Sequence, residues 1–294
     1  MQKSDRRALD HLVLPTVDLS IARERLASLG FTVAPEGVHP FGTANVCVYF
    51  ADETFLESLA VADPAVADEA AANGNVFVAR DRAFRAARGD EGFSAVVLAS
   101  TDADADHAAF VEAGSSAGQR LDFSRGYTDA QGAARTVSFR LALAAPDSEP
   151  DAFFFTCERV DAPAGGRGAL AVHPNGVTGI SRVVAIADEP ARFSPFFSTF
   201  VGSDPVSDTG GVSVGSGRGS ISVLTPQTGA DLLGLEPKRA NGLVLHAIIF
   251  TVSDLATVAQ SLRSGGIGFE HHDRMIVVPA SPGQGAVFAF EVHA

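Results

Sequence analysis

The sequence predicts an α+β protein of four tandem βαβββ modules, which form two cupped mixed sheets with helices outside. The first observation is that the two ends of the 294-residue chain repeat one pattern. In that pattern a His opens an apolar strand, an Asp-Leu pair precedes a helical stretch, and a Glu closes the last strand. The second is that two further segments between these ends have the same order of elements. The third is that a glycine ends the helical stretch of each module.

Unit one, at about residues 9–61, begins with a strand over 11–15 that His11 opens. Apolar side chains on one face predict a helix over 20–29, and Gly30 suits the C-terminal end of that helix. Three predicted strands complete the unit, at 31–34, 44–50 and 54–59.

Units two and three follow the same plan, and unit four copies unit one. The helix of unit two covers 104–112, and the helix of unit three ends near Gly202. Unit four runs from His246 to a strand that ends in Glu291. The predicted strands of units two and three are apolar or alternate with period two, and they cover 93–99, 135–143, 153–157, 180–186, 211–214 and 220–224.

Two segments between the units predict the domain organisation. Residues 63–90 are rich in Ala, Asp and Arg, which indicates a helical insertion on the surface between units one and two. Residues 161–168 read Asp-Ala-Pro-Ala-Gly-Gly-Arg-Gly, which is typical of a linker. We therefore expect an N-terminal domain of units one and two at 1–161 and a C-terminal domain of units three and four at 169–294.

Composition limits the partners of this chain. Its formal net charge of −13 argues against nucleic acid or an anionic membrane, because phosphate binding needs clustered Lys and Arg. No apolar stretch approaches the ~18 residues that span a bilayer. Because the polar segment Met1–Arg7 is not a signal peptide, and because Cys47 and Cys157 lie in apolar strands as free thiols would, we expect a cytoplasmic protein. A small-molecule ligand and a monomer or homodimer are the matching expectations.

Several N-terminal motifs resemble those of a known family. The run Leu-Asp-His-Leu-Val-Leu at 9–14, followed by Asp18-Leu19, is similar to the opening strand of the vicinal oxygen chelate superfamily. His39-Pro40, the run 42–45 and the run 54–57 look like its glyoxalase-like domain subgroup, as does the later run 173–176. The resemblance spans nearly the whole chain and implies cupped sheets. The superfamily includes glyoxalases, extradiol dioxygenases and drug-sequestering proteins, so the resemblance implies the fold more firmly than a reaction.

His11 and Glu57 form the strongest candidate site. Side chains alternate along a strand, so His11 and Val13 should face the concave side of the sheet, with Glu57 on the same side as Phe55. An imidazole and a carboxylate that converge from two strands suit a divalent ion such as Zn, Ni, Mn or Fe(II). The alternative is a structural His beside a solvated Glu.

His246 and Glu291 are the second predicted pair of metal ligands. Counting back from Asp254 makes Ala247 the match of His11, whereas counting to Gly265 makes His246 the match. A one-residue slip would turn the side chain to the opposite face of the strand. Unit two carries Ala95 and then Thr156 or Cys157 at the ligand positions. Unit three carries Ser181 or Arg182 and then Val223 or Leu224. A complete site would therefore pair units one and four; otherwise unit one holds an incomplete site, or no metal binds.

The remaining candidates are His39 and Glu57 as catalytic residues and Asn45 and Phe55 as substrate-contacting residues. Together these residues predict a metal-assisted isomerase or lyase of glyoxalase type, or a ring-opening dioxygenase, that acts on a small oxygen-bearing molecule. The alternative from another class is a metal-free protein that sequesters an apolar or aromatic ligand among its many Phe side chains. No nucleophile elbow, Walker sequence or Cys-x-x-Cys motif competes with these hypotheses.

Overall fold

Two eight-stranded mixed sheets form the framework of the computed structural model, which describes residues 6–128, 134–146, 152–160 and 167–292. The strands of the first sheet are β1 (Leu9–Pro15), β2 (Gly37–Val38), β3 (Thr43–Tyr49), β4 (Phe55–Val61), β5 (Ala95–Ser100), β6 (Leu121–Thr128), β7 (Ala134–Ala144) and β8 (Phe153–Val160). Those of the second sheet are β9 (Val177–Ile186), β10 (Val206–Asp208), β11 (Gly211–Gly215), β12 (Ser220–Leu224), β13 (Val244–Val252), β14 (Glu270–His272), β15 (Met275–Val278) and β16 (Val287–Val292). The predicted fold class is confirmed.

The described residues form seven α-helices, which pack against the two sheets. They are α1 (Leu19–Ser28), α2 (Pro64–Ala72), α3 (Val76–Arg88), α4 (Ala103–Glu112), α5 (Ser194–Val201), α6 (Pro226–Leu233) and α7 (Leu255–Ser264), and the described residues add 3-10 turns at Gly168–Ala171 and Pro190–Phe193. Six of the helices begin at a polar residue whose side-chain oxygen accepts a hydrogen bond from the first turn: Asp18, Asp63, Asn75, Asp102, Thr225 and Asp254. The repeated Asp-Leu pairs of the sequence are therefore helix N-caps.

Neighbouring units along the chain share a sheet. The order of the first sheet is β2-β3-β4-β1-β5-β8-β7-β6, and that of the second is β10-β11-β12-β9-β13-β16-β15-β14. In each sheet the opening strands of two units pair antiparallel at the centre, as β1 with β5 and β9 with β13. Each opening strand also pairs in parallel with the closing strand of its own unit.

Two predicted features outside the sheet centres differ in the structure. The strand predicted over 31–34 is absent, and the two-residue strand β2 takes its place at the sheet edge. Residues 161–166 of the predicted linker lie outside the described residues. Arg167 and Gly168, which complete that stretch, lead into a 3-10 turn.

The helix-bearing faces of the two sheets share one apolar core. Leu12 and Leu14 of β1 belong to it, as the predicted alternation requires. The ring of Phe31, which follows α1, lies 5.5 Å from that of Phe250 in the second sheet. On the other flank the ring of Phe154 packs against the rings of Phe196, Phe197 and Phe200. The halves therefore pack through their helix sides, and their concave faces point away from each other.

The concave face of the first sheet, here called the first cup, is filled by apolar side chains. Val13, Val97 and Phe155 point into it, as the alternation along β1, β5 and β8 requires. The insertion predicted for 63–90 supplies α2 and α3, and α3 is not a surface element. Its Phe77 is 4% exposed and its ring contacts the rings of Phe41, Phe153 and Phe155. The Arg and Asp residues of α3 made the segment read as a surface helix in the sequence. Its buried side chains, which include Phe77, form an apolar face that closes the first cup.

We predict that Phe77→Ala will lower the free energy of unfolding by about 3–5 kcal/mol, the usual cost of removing a buried Phe ring. The matched control is Val66→Ala on α2, where the side chain is 38% exposed and the loss should stay within about 0.5 kcal/mol. Urea denaturation followed by circular dichroism measures both values. Equal losses in the two variants would show that α3 does not close the cup.

Candidate functional site

A β-bulge in β1 places two consecutive polar side chains on the concave face. Leu9 pairs with Leu98 and His11 pairs with Val97, so Asp10 is an extra residue between these pairs. An extra residue interrupts the alternation of a strand, and Asp10 therefore lies beside His11 instead of under the helices. The distance from Asp10 Oδ2 to His11 Nδ1 is 2.5 Å.

Arg159 of β8 pairs with the other side of the Asp10 carboxylate. Its two terminal nitrogens donate hydrogen bonds of 2.6 Å to Oδ1 and Oδ2 of Asp10, which is the two-pronged geometry of the strongest Arg–carboxylate pairs. Burial opposes ionisation of Asp10, but the charge of Arg159 and the contact with His11 hold the pKa of Asp10 well below its usual range. Asp10 is therefore an anion that joins a guanidinium to an imidazole.

His11 lies between two carboxylates. Its Nε2 is 3.3 Å from Oε2 of Glu57, and its ring stacks on Phe55 with 4.4 Å between ring centroids. Burial favours the neutral ring, yet Asp10 and Glu57 together raise the pKa of His11 above its ordinary value. Burial likewise opposes ionisation of Glu57, but contact with His11 lowers the pKa of Glu57 to about 2. His11 and Glu57 thus form the pair that the sequence predicts.

His39 and Asn45 contact the second oxygen of Glu57. Asn45 Nδ2 donates a hydrogen bond of 2.6 Å to Oε1 of Glu57, and His39 Nε2 lies 3.6 Å from the same oxygen. The other ring nitrogen of His39 is 2.9 Å from the hydroxyl of Thr43. Burial is the main cause that lowers the pKa of His39 to about 4, so its ring is neutral near pH 7.

The polar cluster formed by Asp10, His11, His39, Asn45 and Glu57 is closed to solvent in this structure. The exposed fraction is 7% or less for each of these residues. A cavity of about 150 Å³ does exist between the two halves, but it is lined by other residues, among them Phe84, Lys238 and Gly285. A ligand can reach Glu57 only if part of the lining of the first cup moves.

Strand register identifies the residues that correspond to His11 and Glu57 in the other units. His11 pairs with Phe55 of β4, two residues before Glu57, and the same relation holds between the opening and closing strands of each unit. The corresponding pairs are Ala95 and Phe155 in unit two, Arg182 and Ser222 in unit three, and Ala247 and Ala289 in unit four. The sequence had offered Thr156 or Cys157 and Val223 or Leu224 as the matches of Glu57 in units two and three. Each of these lies one or two residues beyond the position that the register gives, Phe155 or Ser222. Only unit one places an imidazole and a carboxylate at these positions.

The predicted pairing of His246 and Glu291 with unit one is wrong. Those two residues belong to the second sheet, because sheets form between neighbouring units. His246 is the extra residue of a bulge in β13, since Leu245 pairs with Ala185 and Ala247 pairs with Val184. Glu291 lies two residues beyond the ligand position and accepts a hydrogen bond of 2.7 Å from the hydroxyl of Ser181.

The donor set does not fit the four-ligand metal site that pairing of two units would make. Ala95 and Phe155 occupy two of the four positions in the first sheet, and neither side chain can ligate a metal. The Phe155 ring instead lies edge-on to His11, with 5.7 Å between ring centroids. Within the described parts of the chain, no group of three or more His, Cys, Asp or Glu side chains is arranged to hold a metal ion.

Sequence reasoning found four of the five polar residues of the cluster and missed Asp10. It also missed Arg159, which lies two residues beyond Cys157 on β8. The sequence does carry one signal, because an Asp that directly precedes a His inside an apolar strand breaks the expected alternation. That break is typical of a bulge.

We predict that Asp10→Ala will cost about 3–5 kcal/mol of unfolding free energy, because it leaves the buried Arg159 and His11 without their shared anion. The control is Asp104→Ala, which removes an exposed pair with Arg120 and should cost about 1 kcal/mol or less. Chemical denaturation at pH 7 measures both. A loss at Asp10 no larger than that at Asp104 would contradict the role assigned to the bulge.

A second prediction concerns pH. Burial, with a smaller contribution from Lys238, lowers the pKa of His246 to about 4 from 6.5. Between these pH values the unfolded chain binds a proton that the folded chain does not, so His246 reduces stability as the pH falls from 6.5 towards 4. The melting temperature of His246→Gln should therefore fall less than that of the parent between pH 7 and pH 4.5. Each kcal/mol of pH-dependent destabilisation that the substitution removes corresponds to about 2–4 °C. His271→Gln, at a more exposed ring, should behave like the parent; identical curves for all three proteins would contradict the prediction.

Comparison with known proteins supports the fold. A search of curated proteins gave no match to this chain. Many solved structures match it, among them three that each do so at 13% identity and over 97% of this chain. They are a hypothetical protein from Staphylococcus aureus (TM-score 0.68, 99% of that chain), a triple mutant of 4-hydroxymandelate synthase from Streptomyces coelicolor (0.60, 92%) and a xylose isomerase-like TIM barrel/4-hydroxyphenylpyruvate dioxygenase fusion protein (0.53, 48%). In the described residues, no helix combines the length and apolar character needed to cross a bilayer.

The family is shown by the sequence itself. A sequence profile described as "Glyoxalase-like domain" matches residues 9–201, which include both the His11–Glu57 pair and the start of the second sheet. This match agrees with the motifs around His39, Asn45 and Glu57 that suggested the resemblance. The chain belongs to the glyoxalase-like domain family.

Proposed function

We propose that this chain is an isomerase or lyase that acts on a small oxygen-bearing molecule through proton transfer in the first cup. The observation that carries the proposal is the convergence of two imidazoles, His11 and His39, on the two oxygens of one buried carboxylate, Glu57. The corresponding positions of the other three units hold no such set. A buried ionisable cluster that occurs once in four repeats points to a selected chemical role.

The two histidines suit complementary roles. His39 is neutral near pH 7 and can accept a proton from a carbon next to a carbonyl group. His11, whose pKa is raised by Asp10 and Glu57 against the effect of burial, is the better proton donor towards the developing oxyanion. Environments that shift two titratable groups in opposite directions are a common basis for assigning acid and base. Glu57 would hold both rings in place, and Asn45 would fix the orientation of the carboxylate.

Substrate access requires a conformational step. Phe77 of α3 contacts His39 and Phe155, so its side chain separates the polar cluster from the outer part of the cup. The helical insertion is joined to unit one through α2 and to unit two through residues 89–94, and Arg85 of α3 donates hydrogen bonds to the carbonyls of Thr16 and Leu59. Displacement of α3 would break these bonds and open the cup. Closure of such an element after binding would exclude water from the proton transfer.

A metal-assisted reaction is the second candidate. His11 contacts Asp10 through Nδ1 and directs Nε2 towards Glu57, which is also the orientation of metal-ligating histidines. The names of two structural neighbours, a synthase and a dioxygenase, make a dioxygenase the reaction to test under this alternative. Of the four positions that would ligate a metal in the first sheet, only those of His11 and Glu57 carry donor side chains, because the other two hold Ala95 and Phe155. Zn, Ni, Mn or Fe(II) would therefore bind to these two donors. A metal-free binding protein, which uses the Phe-lined cup without chemistry, is the third candidate.

We predict that the parent protein will catalyse exchange of carbon-bound hydrogen for deuterium in small α-hydroxy or α-oxo carbonyl compounds, followed by proton NMR in D2O. Glu57→Gln and His39→Asn should each reduce the exchange rate by about 10²–10⁴-fold, the usual contribution of a positioned acid or base. The control is Glu291→Gln, which changes a carboxylate at the end of the last strand of the second sheet, outside the first cup. It should leave the exchange rate unchanged.

Metal analysis of the same preparations distinguishes the candidates. Exchange by protein that holds less than about a tenth of an equivalent of metal supports the acid–base proposal. Turnover that needs one equivalent of a divalent ion, lost in Glu57→Gln, would replace it by the metal-assisted reaction. Tight ligand binding without exchange or turnover, under both conditions, would favour the binding protein.

A further inference from the structure

Arg125 reaches across the opening of the first cup. It lies on β6, one edge strand of the first sheet, and its guanidinium rests against Gly37 of β2, the opposite edge strand. A Cβ atom added to Gly37 would lie 2.5 Å from Nη1 of Arg125 and 2.8 Å from Oδ1 of Asn45. The guanidinium therefore bridges the two free edges of the sheet and ends beside the polar cluster.

One nitrogen of this guanidinium lacks a hydrogen-bond partner among the described residues. Arg125 Nη1 is buried and makes no hydrogen bond to that part of the chain, although the guanidinium carbon lies 5.6 Å from the centre of the Phe139 ring. A buried donor without an acceptor is costly, since it has lost its hydrogen bonds to water. Arg125 Nη1 lies beside the polar cluster, and a ligand bound there would supply the acceptor that this nitrogen lacks.

Arg167 is a second cation that lies beside β3. Its guanidinium lies 4.0 Å from the centre of the Tyr49 ring. The pKa of Tyr49 is raised, first by Cys47 and then by burial, and Arg167 and Arg125 are the two groups whose charges oppose that rise. The two guanidinium groups therefore act on the same phenol from different strands or loops.

Neither cation is neutralised in the way that Arg159 is. Arg159 forms its two hydrogen bonds to Asp10, whereas no carboxylate of the described residues lies within salt-bridge distance of Arg125 or Arg167. Local positive charge is unusual in a chain with a formal net charge of −13. A cleft of one sign raises the local concentration of ligands of the opposite sign.

We propose that Arg125 and Arg167 form an anion-binding subsite at the rim of the first cup, and that the substrate is a small organic carboxylate. The orientation of the ligand rests on the proposed function. The ligand carboxylate pairs with Arg125, and the adjacent oxygen-bearing carbon faces Glu57, His11 and His39. Arg is suited to this role because its planar fork matches the two oxygens of a carboxylate. An aromatic or apolar remainder of the ligand would contact Phe123 and Phe139, whose rings stack at 4.9 Å.

The test compares mandelate with mandelamide, which have the same shape but differ in charge. Binding is measured by titration calorimetry and saturation-transfer NMR at about 0.01 M salt, where charges are little screened. We expect mandelate to bind the parent and mandelamide to bind at least tenfold more weakly. Arg125→Gln should weaken mandelate binding by about tenfold or more, which is about 1.4 kcal/mol, while Arg120→Gln on the adjacent exposed segment should not.

A second variant moves the guanidinium without removing it. Gly37→Ala places a Cβ 2.5 Å from Nη1 of Arg125 and 2.8 Å from Oδ1 of Asn45, so the end of the Arg125 side chain must shift. We expect weaker mandelate binding in a protein that still folds, as circular dichroism can verify. Gly268→Ala is the matched control, because an added Cβ meets no atom within 4 Å there. Equal binding of acid and amide, or unchanged affinity in both Arg125→Gln and Gly37→Ala, would overturn the subsite and assign Arg125 a purely structural role between the edge strands.

The Glu57→Gln variant separates this inference from the proposed function. If mandelate binds the parent and Glu57→Gln alike, and no carbonyl compound undergoes exchange, the subsite stands and the proton-transfer function fails. If exchange proceeds equally on carboxylates and on their amides, the function stands and the subsite fails.

Discussion

The bulge in β1 is the constraint on which the candidate site depends. A regular strand would send Asp10 into the helix-side core, where a carboxylate without a partner could not remain ionised. The extra residue instead sets Asp10 beside His11, and Arg159 closes the other side of the carboxylate. Asp10, Glu57, His11 and Arg159 then contact one another inside the first cup as two carboxylates, an imidazole and a guanidinium. Because each member compensates the burial of another, removing one affects the ionisation of all.

The elements that the sequence predicted well are those set by local patterns. The N-cap Asp residues and the strand alternation are local signals, and they identified the units and the inward position of His11. Residues whose place depends on which strands pair could not be found in this way. Arg125 reaches the cluster only because β6 and β2 are opposite edges of a curved sheet, and Arg159 only because β8 lies beside β5. The two different counts for His246 are explained by the bulge in β13, which adds one residue to the strand.

The four repeats have kept one architecture and diverged in chemistry. Bulges recur at the centre of both sheets, with Asp10 in β1, Thr178 and Ser181 in β9 and His246 in β13 as the extra residues. Only in β1 does the neighbouring residue carry an imidazole. In unit three the positions that correspond to His11 and Glu57 hold Arg182 and Ser222. The second half thus contributes through the shared core of Phe side chains, which fixes the helix side of the first sheet while its concave side varies.

Closure of the first cup follows from the same charge arrangement. The carboxylates of Asp10 and Glu57 are paired with His11 and Arg159, so they can stay buried without a ligand. The Phe77 side chain of α3 therefore covers them at little electrostatic cost. Arg125 is the exception, because its buried nitrogen lacks an acceptor and its charge lacks a counterion among the described residues. An arriving anion would satisfy that group while the paired carboxylates need no rearrangement of charge. The energy gained at the rim would then be available to displace the Phe77 side chain, so that recognition of the anion and opening towards Glu57 become one coupled step.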